Sequence, residues 1–366
     1  MAKIFGVHVP SELNNLAING GFDFWQEKAG TTTTINTATS SFTYAADMWA
    51  VSSSGATVKN YNYLRSSSTV PTLAQSGFNS RYSMQFQVLT AIGSLAASDE
   101  ILPYNYFMEG QDYARIHSKK VTFGFWFNAS VAGTYSFAMQ NNAGNRSYVT
   151  TFTQNSGGVW EYKTITVTLD NTGTWLFDTN FGLAVYIAAV SGSTGSTSTL
   201  GSWQNGAFVA ATGATNYFAT INATLNLAQF SIVEGPIGLG PTGFVRSGKT
   251  IEAEFASCQR YYEKTYQLDD IPGTVTANGQ AQTGQPNNAN WQWTHYFNTT
   301  KRTRGYTTLI YDPVAGTSSH VHNTTAGSLT AASNGGETNL ATFTCSQAPG
   351  ASNTLIQYHA TFDDRF

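Results

Sequence analysis

Val121-Thr-Phe-Gly-Phe-Trp-Phe127 is the stretch that decides the fold. Val121, Phe123, Phe125 and Phe127 fall on one side of an extended chain, and Thr122, Gly124 and Trp126 on the other. Such period-two alternation marks a β-strand with a buried face. Outward from it, Asn128–Gly133 reads as a turn and Thr134–Met139 as a second strand, with Tyr135, Phe137 and Met139 on one face. The pair predicts a hairpin. Lys163–Leu169 sets Ile165, Val167 and Leu169 inward against outward threonines, and Asp170-Asn-Thr-Gly173 supplies turn chemistry. Leu183–Val190 is apolar on both faces, as a central strand is. Leu225–Glu234 reads as the last strand of the unit. Many short strands, frequent turns and no helical periodicity predict a mainly β protein, a β-sandwich or jelly roll.

Composition supports this reading. Of 366 residues only 11% are charged, 14% are aromatic, and 34 are glycine. Globular proteins average roughly 25% charged residues. Thr, Ser, Asn and Gly take the place of charge, which suits sheet faces and turns rather than helix surfaces. The net charge of −3 supplies no basic stripe for nucleic acid and no cationic face for a membrane. No apolar run approaches the ~20 residues that a spanning helix needs, so membrane insertion is not expected. Cys258 and Cys345 make no disulfide framework and are expected as free thiols.

Four regions follow: an N-terminal arm over 1–13, a β-sandwich over 14–235, a Gly/Pro linker over 236–249, and a helix plus a smaller β domain over 250–366. The helix is expected over Thr250–Tyr266. Thr250 is its N-cap, Glu252 lies in its first turn and Lys264 in its last, and Ile251, Phe255, Cys258 and Tyr262 form its apolar face.

The linker contains two patterns associated with nucleotides. Gly238-Leu-Gly-Pro-Thr-Gly243 fits G-x-G-x-x-G, and Gly243-Phe-Val-Arg-Ser-Gly-Lys-Thr250 fits the phosphate-binding loop. Neither follows directly from a strand of a parallel sheet, so a glycine linker and helix cap is the expectation. Catalytic signatures are absent as well. Carboxylates are scattered, and no G-x-S-x-G, H-E-x-x-H or Cys–His arrangement is present, so no enzyme is expected. Cys258, on the apolar face of its helix, reads as a packed thiol. Trp291 and Trp293 share a strand face, Tyr296 lies close by, and Arg302 follows between Lys301 and Arg304. Aromatic faces with nearby polar groups grip sugar rings, so Trp291, Trp293, Tyr296 and Arg302 are candidate ligand-binding residues. A core stripe or subunit interface is the alternative, and the same choice applies to Tyr104 and Tyr106.

Three segments carry a resemblance: Asn19-Gly-Gly-Phe-Asp-Phe-Trp-Gln26, Tyr44-Ala-Ala-Asp-Met-Trp49 and Cys258-Gln-Arg-Tyr-Tyr-Glu-Lys264. In this order they resemble bacteriophage virion structural and tail-fibre proteins with a carbohydrate-binding-module-like β-sandwich. Those proteins open with N-G-x-F-D-x-W-Q and Y-T-A-D-R-W and close with a C-Q-R-Y-Y-E-K-S helix. The likeness spans roughly Asn15 to Tyr266. It departs where Met48 replaces the usual Arg, and where Glu27-Lys28 follows Gln26 in place of Arg-Gly.

The resemblance implies a non-enzymatic protein of the virion, made in the host cytoplasm. It would be a homo-oligomer, expected as a trimer, in contact with other virion proteins. Two roles follow: a tail-fibre or receptor-binding component touching host surface polysaccharide, or a head or tail decoration protein without a sugar contact. A glycan-degrading tailspike ranks third. Phe22, Phe24, Trp25 and Trp49 are expected as an aromatic core where the first strands meet. No cofactor is expected beyond a structural cation, for which Asp23 or Asp47 is a candidate ligand. His320 and His322, one strand step apart, are the other candidates. Two imidazoles are too few for one chain, but three chains on an axis would supply six, as in the iron-holding H-x-H rings of trimeric phage spikes. The arm Met1–Leu13 is the expected anchor to the particle.

Overall fold

The computed structural model describes residues 14–37, 40–285, 290–346 and 354–366. The expected anchor, 1–13, lies outside the described residues. Two sheets stack face to face in the first part of the chain. One runs, in spatial order, Thr33–Thr37, Lys59–Ser66, Ser83–Val88, Thr224–Glu234, Lys120–Ala129 and Glu161–Thr168. The other runs Trp203–Asn205, Arg146–Gln154, Gly133–Gln140, Phe181–Ser191, Glu100–Glu109, Trp49–Ser54 and Ser41–Tyr44. The ladders are antiparallel throughout. The fold is the expected mainly β sandwich, with Phe181–Ser191 and Thr224–Glu234 both central.

Val121, Phe123, Phe125 and Phe127 are all fully buried between the sheets. The expected hairpin is not there. Lys120–Ala129 and Gly133–Gln140 belong to opposite sheets, and the turn between them arches over the core. Their apolar faces meet across the sandwich: Phe123 and Phe137 centroids lie 5.0 Å apart, and those of Phe127 and Tyr135 5.1 Å. Each strand needs only one buried face, and facing across a core satisfies that as fully as lying side by side. Gly133–Gln140 makes its hairpin with Arg146–Gln154 instead.

The outer side of Lys120–Ala129 is also covered. Thr122 Oγ1 donates to the carbonyl of Gly235 (2.8 Å) and Trp126 Nε1 to that of Pro241 (3.2 Å). The Gly/Pro segment is therefore strapped onto the sandwich. Its glycines permit a close approach: a Cβ on Gly238 would fall 2.9 Å from Thr122 Cγ2. On the far face of the other sheet, Val209, Ala210 and Ala211 pack on Ala138, Val149, Ala184 and Ala189. Small side chains there let a loop lie flat on a sheet.

The third sheet runs Tyr262–Lys264, Thr354–Asp363, His320–Asn323, Gly327–Glu337, Leu340–Cys345 and Trp291–Tyr296, with Ala281–Gln285 and Thr307–Tyr311 also pairing Thr354–Asp363. Its core includes Trp293, Val321, Phe343, Ile356, Tyr358, Phe362 and Cys345. No helix among the described residues is long and apolar enough to cross a membrane.

The helix begins as expected. Thr250 Oγ1 accepts from Ala253 N at 3.2 Å. It ends at Gln259, and Tyr262–Lys264 is a strand paired with Thr361–Asp363. Pairing that segment buries Tyr262, Glu263 and Lys264 together, which another helical turn would not do; tertiary burial overrides helix propensity here. Phe255 packs on Phe24 (4.8 Å) and Cys258 is fully buried. The helix thus docks on the sandwich and wedges the two β units together.

Candidate functional site

The three motif segments, distant in sequence, converge on that wedge. Asn19 takes a left-handed backbone (φ 54°), a conformation its short polar side chain tolerates. Its Nδ2 donates to the carbonyls of Phe24 and Asp47, 2.9 Å each. Gly20 is required because a Cβ there would lie 2.0 Å from the carbonyl oxygen of Phe230. The Asp47 carboxylate accepts from Gln26 N (3.0 Å) and Gln26 Nε2 (2.7 Å), and Gln26 Nε2 also donates to the carbonyl of Tyr262 (2.8 Å). Burial pushes the Asp47 carboxyl up to about 6 against those hydrogen bonds. Arg260 forks onto Glu109 (2.9 and 2.7 Å), and Tyr261 Oη donates to the same carboxylate (2.7 Å). Lys301 pairs with Glu263 at 2.5 Å, both side chains shielded from water. Phe22, Trp25 and Trp49 are buried in the sandwich core, and Phe24 is buried against Phe255 of the helix. Met48, in place of the usual Arg, is buried among them. The motifs build a junction.

The phosphate-loop pattern is occupied by the protein itself. Gly248 N and Ser247 Oγ each donate to Glu254 Oε2 at 2.7 Å, and Asn19 N donates to Glu254 Oε1 at 2.5 Å. A helix N-terminus favours an anion, and here the anion is the buried carboxylate of Glu254.

The candidate ligand residues are not brought together. Trp293 is 7% exposed and stacks on Phe343 at 5.4 Å. It is a core residue, and its face is closed to a sugar ring. Trp291 packs on the edge of the same core. Tyr296 is 70% exposed, but on a strand it projects from the face opposite Trp291 and Trp293. Arg302 lies in the junction, donating to the carbonyls of Asp364 (2.8 Å), Arg365 (3.3 Å) and Thr179. Tyr104 and Tyr106 are core residues, their hydroxyls on the carbonyl of Met84 and the N–H of Ile18.

The candidate metal residues are also apart. Asp23 is held by Arg246 (2.7 and 3.3 Å). His322 Nδ1 stands 3.7 Å from Asp312 Oδ1, and His320 Nδ1 donates to the carbonyl of Ser318 at 2.8 Å. Among the described residues, no three His, Cys, Asp or Glu side chains group as a metal site.

A groove that the sequence reading missed runs along the junction. Its first hollow, about 260 Å³, has Thr307, Leu309 and Tyr311 on one wall with Thr361 and Asp363 of the neighbouring strand; Glu27, Lys28, Thr31, Ile271 and Pro272 close it. A second hollow of about 420 Å³ shares Glu27, Thr307 and Asp363 and continues past Phe42, Tyr44 and Arg302. Thr307–Tyr311 alternates: Ile310 enters the core while Leu309, 48% exposed, faces the groove. Arg365 staples the groove walls, pairing at 2.5 Å with both Glu27 and Asp363. Its guanidinium lies over Tyr44 (4.1 Å) and Tyr262 (4.4 Å). Burial alone would raise both carboxyls. At Glu27 the charges and hydrogen bonds of Arg365 and Lys28 together outweigh it, and at Asp363 chiefly those of Arg365, so both lie below the ordinary carboxylate value. Thr307-Thr-Leu-Ile-Tyr311 does not alternate polar with apolar residues, so nothing in it marked the groove, and nothing local pointed to Glu27 as the facing wall.

No protein-family model and no curated protein matches this chain. Solved structures align with parts of the chain at low similarity. The enzymatically active domain of bacteriophage CBA120 tailspike protein 4 is 11% identical with a TM-score of 0.31, over 61% of this chain and 21% of that one. The chain thus spans about a fifth of the tailspike structure. TmCBM61, solved with β-1,4-galactotriose, is 10% identical with a TM-score of 0.29, over 60% of this chain and 99% of that one. A cyclase from Fischerella sp. TAU is 10% identical with a TM-score of 0.30, over 62% and 98% of the two chains.

Proposed function

We propose that this protein is a component of a phage particle exterior that contacts host surface polysaccharide through the junction groove, without cleaving it. The groove carries the glycan reading. Leu309, Tyr311 and Pro272 give a wall for sugar C–H faces, and Thr31, Thr307 and Thr361 place hydroxyls beside it. Placement on a virion, in a homo-oligomer, rests on the three motifs and their order. Glycoside cleavage needs one carboxyl kept protonated as general acid. The two carboxyls open to the groove, Glu27 and Asp363, are held below the ordinary value by Arg365 and, for Glu27, Lys28, while Asp364, which burial raises, is 2% exposed and bonded to Thr303; this supports a binding role.

The decoration-protein reading has an observation in its favour: the residues of all three motifs are spent on the junction. Binding of host-cell polysaccharide to the purified chain separates the two. The groove reading expects binding, weakened at least tenfold by Tyr311→Ala/Leu309→Ser in a variant that melts like the parent. Equal binding by parent and folded variant would move the sugar contact off the groove, and no binding by the parent leaves the decoration reading.

A further inference from the structure

We propose that the groove selects an uncharged oligosaccharide over acidic or phosphorylated sugars, an inference that rests on the groove being a glycan site. Recognition of an anionic sugar needs a cation with open donors, usually an Arg fork or a Lys ammonium. The two guanidiniums lining the groove are spent within the chain, and the Lys28 ammonium is offset by a carboxylate. Lys28 Nζ lies 2.5 Å from Glu27 Oε1. Arg302 spends its guanidinium on the carbonyls of Asp364, Arg365 and Thr179 and stacks over Phe366 at 4.5 Å. Arg365, behind the shared wall, donates to Glu27 and Asp363 and is closed on both faces by Tyr44 and Tyr262.

The charge left facing the groove is negative. Glu27 and Asp363, common to both hollows, keep side chains 26% and 36% exposed. A sugar carboxylate entering between them would meet like charge, and the one partly exposed cation beside it, the Lys28 ammonium, is already offset by Glu27. A sugar hydroxyl meets the reverse. Carboxylate lone pairs not used by Arg365 accept its proton, and Thr307 and Thr361 both donate and accept. Leu309 and Tyr311 cover the apolar ring face. Alternating hydroxyl, carboxylate and apolar surface along one wall matches a neutral ring, with O–H groups around its rim and C–H groups on its faces.

The test uses the full chain with neutral gluco-, galacto- and manno-tetraoses and the uronic-acid tetramers of the same linkages, by calorimetry at about 50 and 300 mM salt. At least one neutral tetramer is expected to bind with salt-independent affinity, and its uronate counterpart at least tenfold more weakly. Glu27→Gln, checked by its melting curve, should narrow that gap severalfold by removing a like charge and freeing donors on Arg365 and Lys28. Uronates binding as tightly as neutral sugars, with affinity falling as salt rises, would overturn the selectivity and leave the glycan site standing. Binding by neither series would remove the glycan reading and this inference together.

Discussion

Lys59 Nζ lies 2.7 Å from Asp99 Oδ1, and both side chains are fully shielded from solvent. Asp99 also accepts from Thr57 N (3.0 Å), Thr57 Oγ1 (2.5 Å) and Ala96 N (2.8 Å). The pair ties the strand Lys59–Ser66 to the loop that leads into Glu100–Glu109, across the two sheets. Leaving one member of such a pair without its partner costs about 3–5 kcal/mol, whereas replacing both by apolar residues is often neutral. Asp99→Ala should therefore destabilise the protein by about that amount in urea unfolding, and Lys59→Met/Asp99→Leu should recover most of the loss. Equal stability of Asp99→Ala and the parent would show that the pair contributes nothing.

The same residue sets a pH response. Burial alone would raise the Asp99 carboxyl, but the hydrogen bonds from Lys59, Thr57 and Ala96 prevail and hold it well below the ordinary value. Its folded value is thus below its unfolded value, so the stability it contributes is present above about pH 4 and is lost as pH falls through the folded value. Melting temperatures of the parent should fall more steeply below pH 4 than those of Asp99→Asn, and parallel profiles would contradict the assignment.

Glu254 gives a third prediction. Three donors converge on its carboxylate, from Asn19, Ser247 and Gly248. Glu254→Ala strands them, at roughly 2–3 kcal/mol on the scale of lost charged hydrogen bonds. ATP and inorganic phosphate should leave the melting temperature of the parent unchanged, because the place an anion would take is filled. A nucleotide-induced rise in the parent would reverse this.

Two aromatic residues on one strand should behave oppositely. Trp293 stacks on Phe343 and packs at a tilt against Tyr358 inside the third sheet's core. Trp293→Ala should cost about 3–5 kcal/mol. Tyr296, on the open face, should tolerate alanine within about 0.5 kcal/mol. Denaturant midpoints of the two variants decide the matter, and a mild Trp293→Ala would return that side chain to the list of ligand contacts.

The strands were legible because burial of one face imposes period two, and Val121–Phe127 and Lys163–Leu169 display it. Which sheet a strand joins was not legible: Phe137 meets Phe123 across the core in a pattern identical to that of a neighbour in a hairpin. The start of the helix was readable from Thr250, a local cap. Its end was not, because Tyr262–Lys264 pairs with residues about 100 positions later. The groove was hidden for the same reason. Leu309, Ile310 and Tyr311 are consecutive apolar residues and do not say which of them faces outward, and the opposite wall, Glu27 and Lys28, is set by the converged motifs and by Arg365. Trp291 and Trp293 were attractive as a pair, and alternation says only that they share a side, not whether that side is inward.

Arg365 has a mechanical meaning. By joining Glu27 to Asp363 under two tyrosine rings, it closes the polypeptide into a clasp, with the opening turn of the sandwich and the final strand of the small sheet held by one guanidinium. Neither half can open without releasing the other, so heating should yield one calorimetric peak, and a force pulling on the small sheet is passed directly to the sandwich.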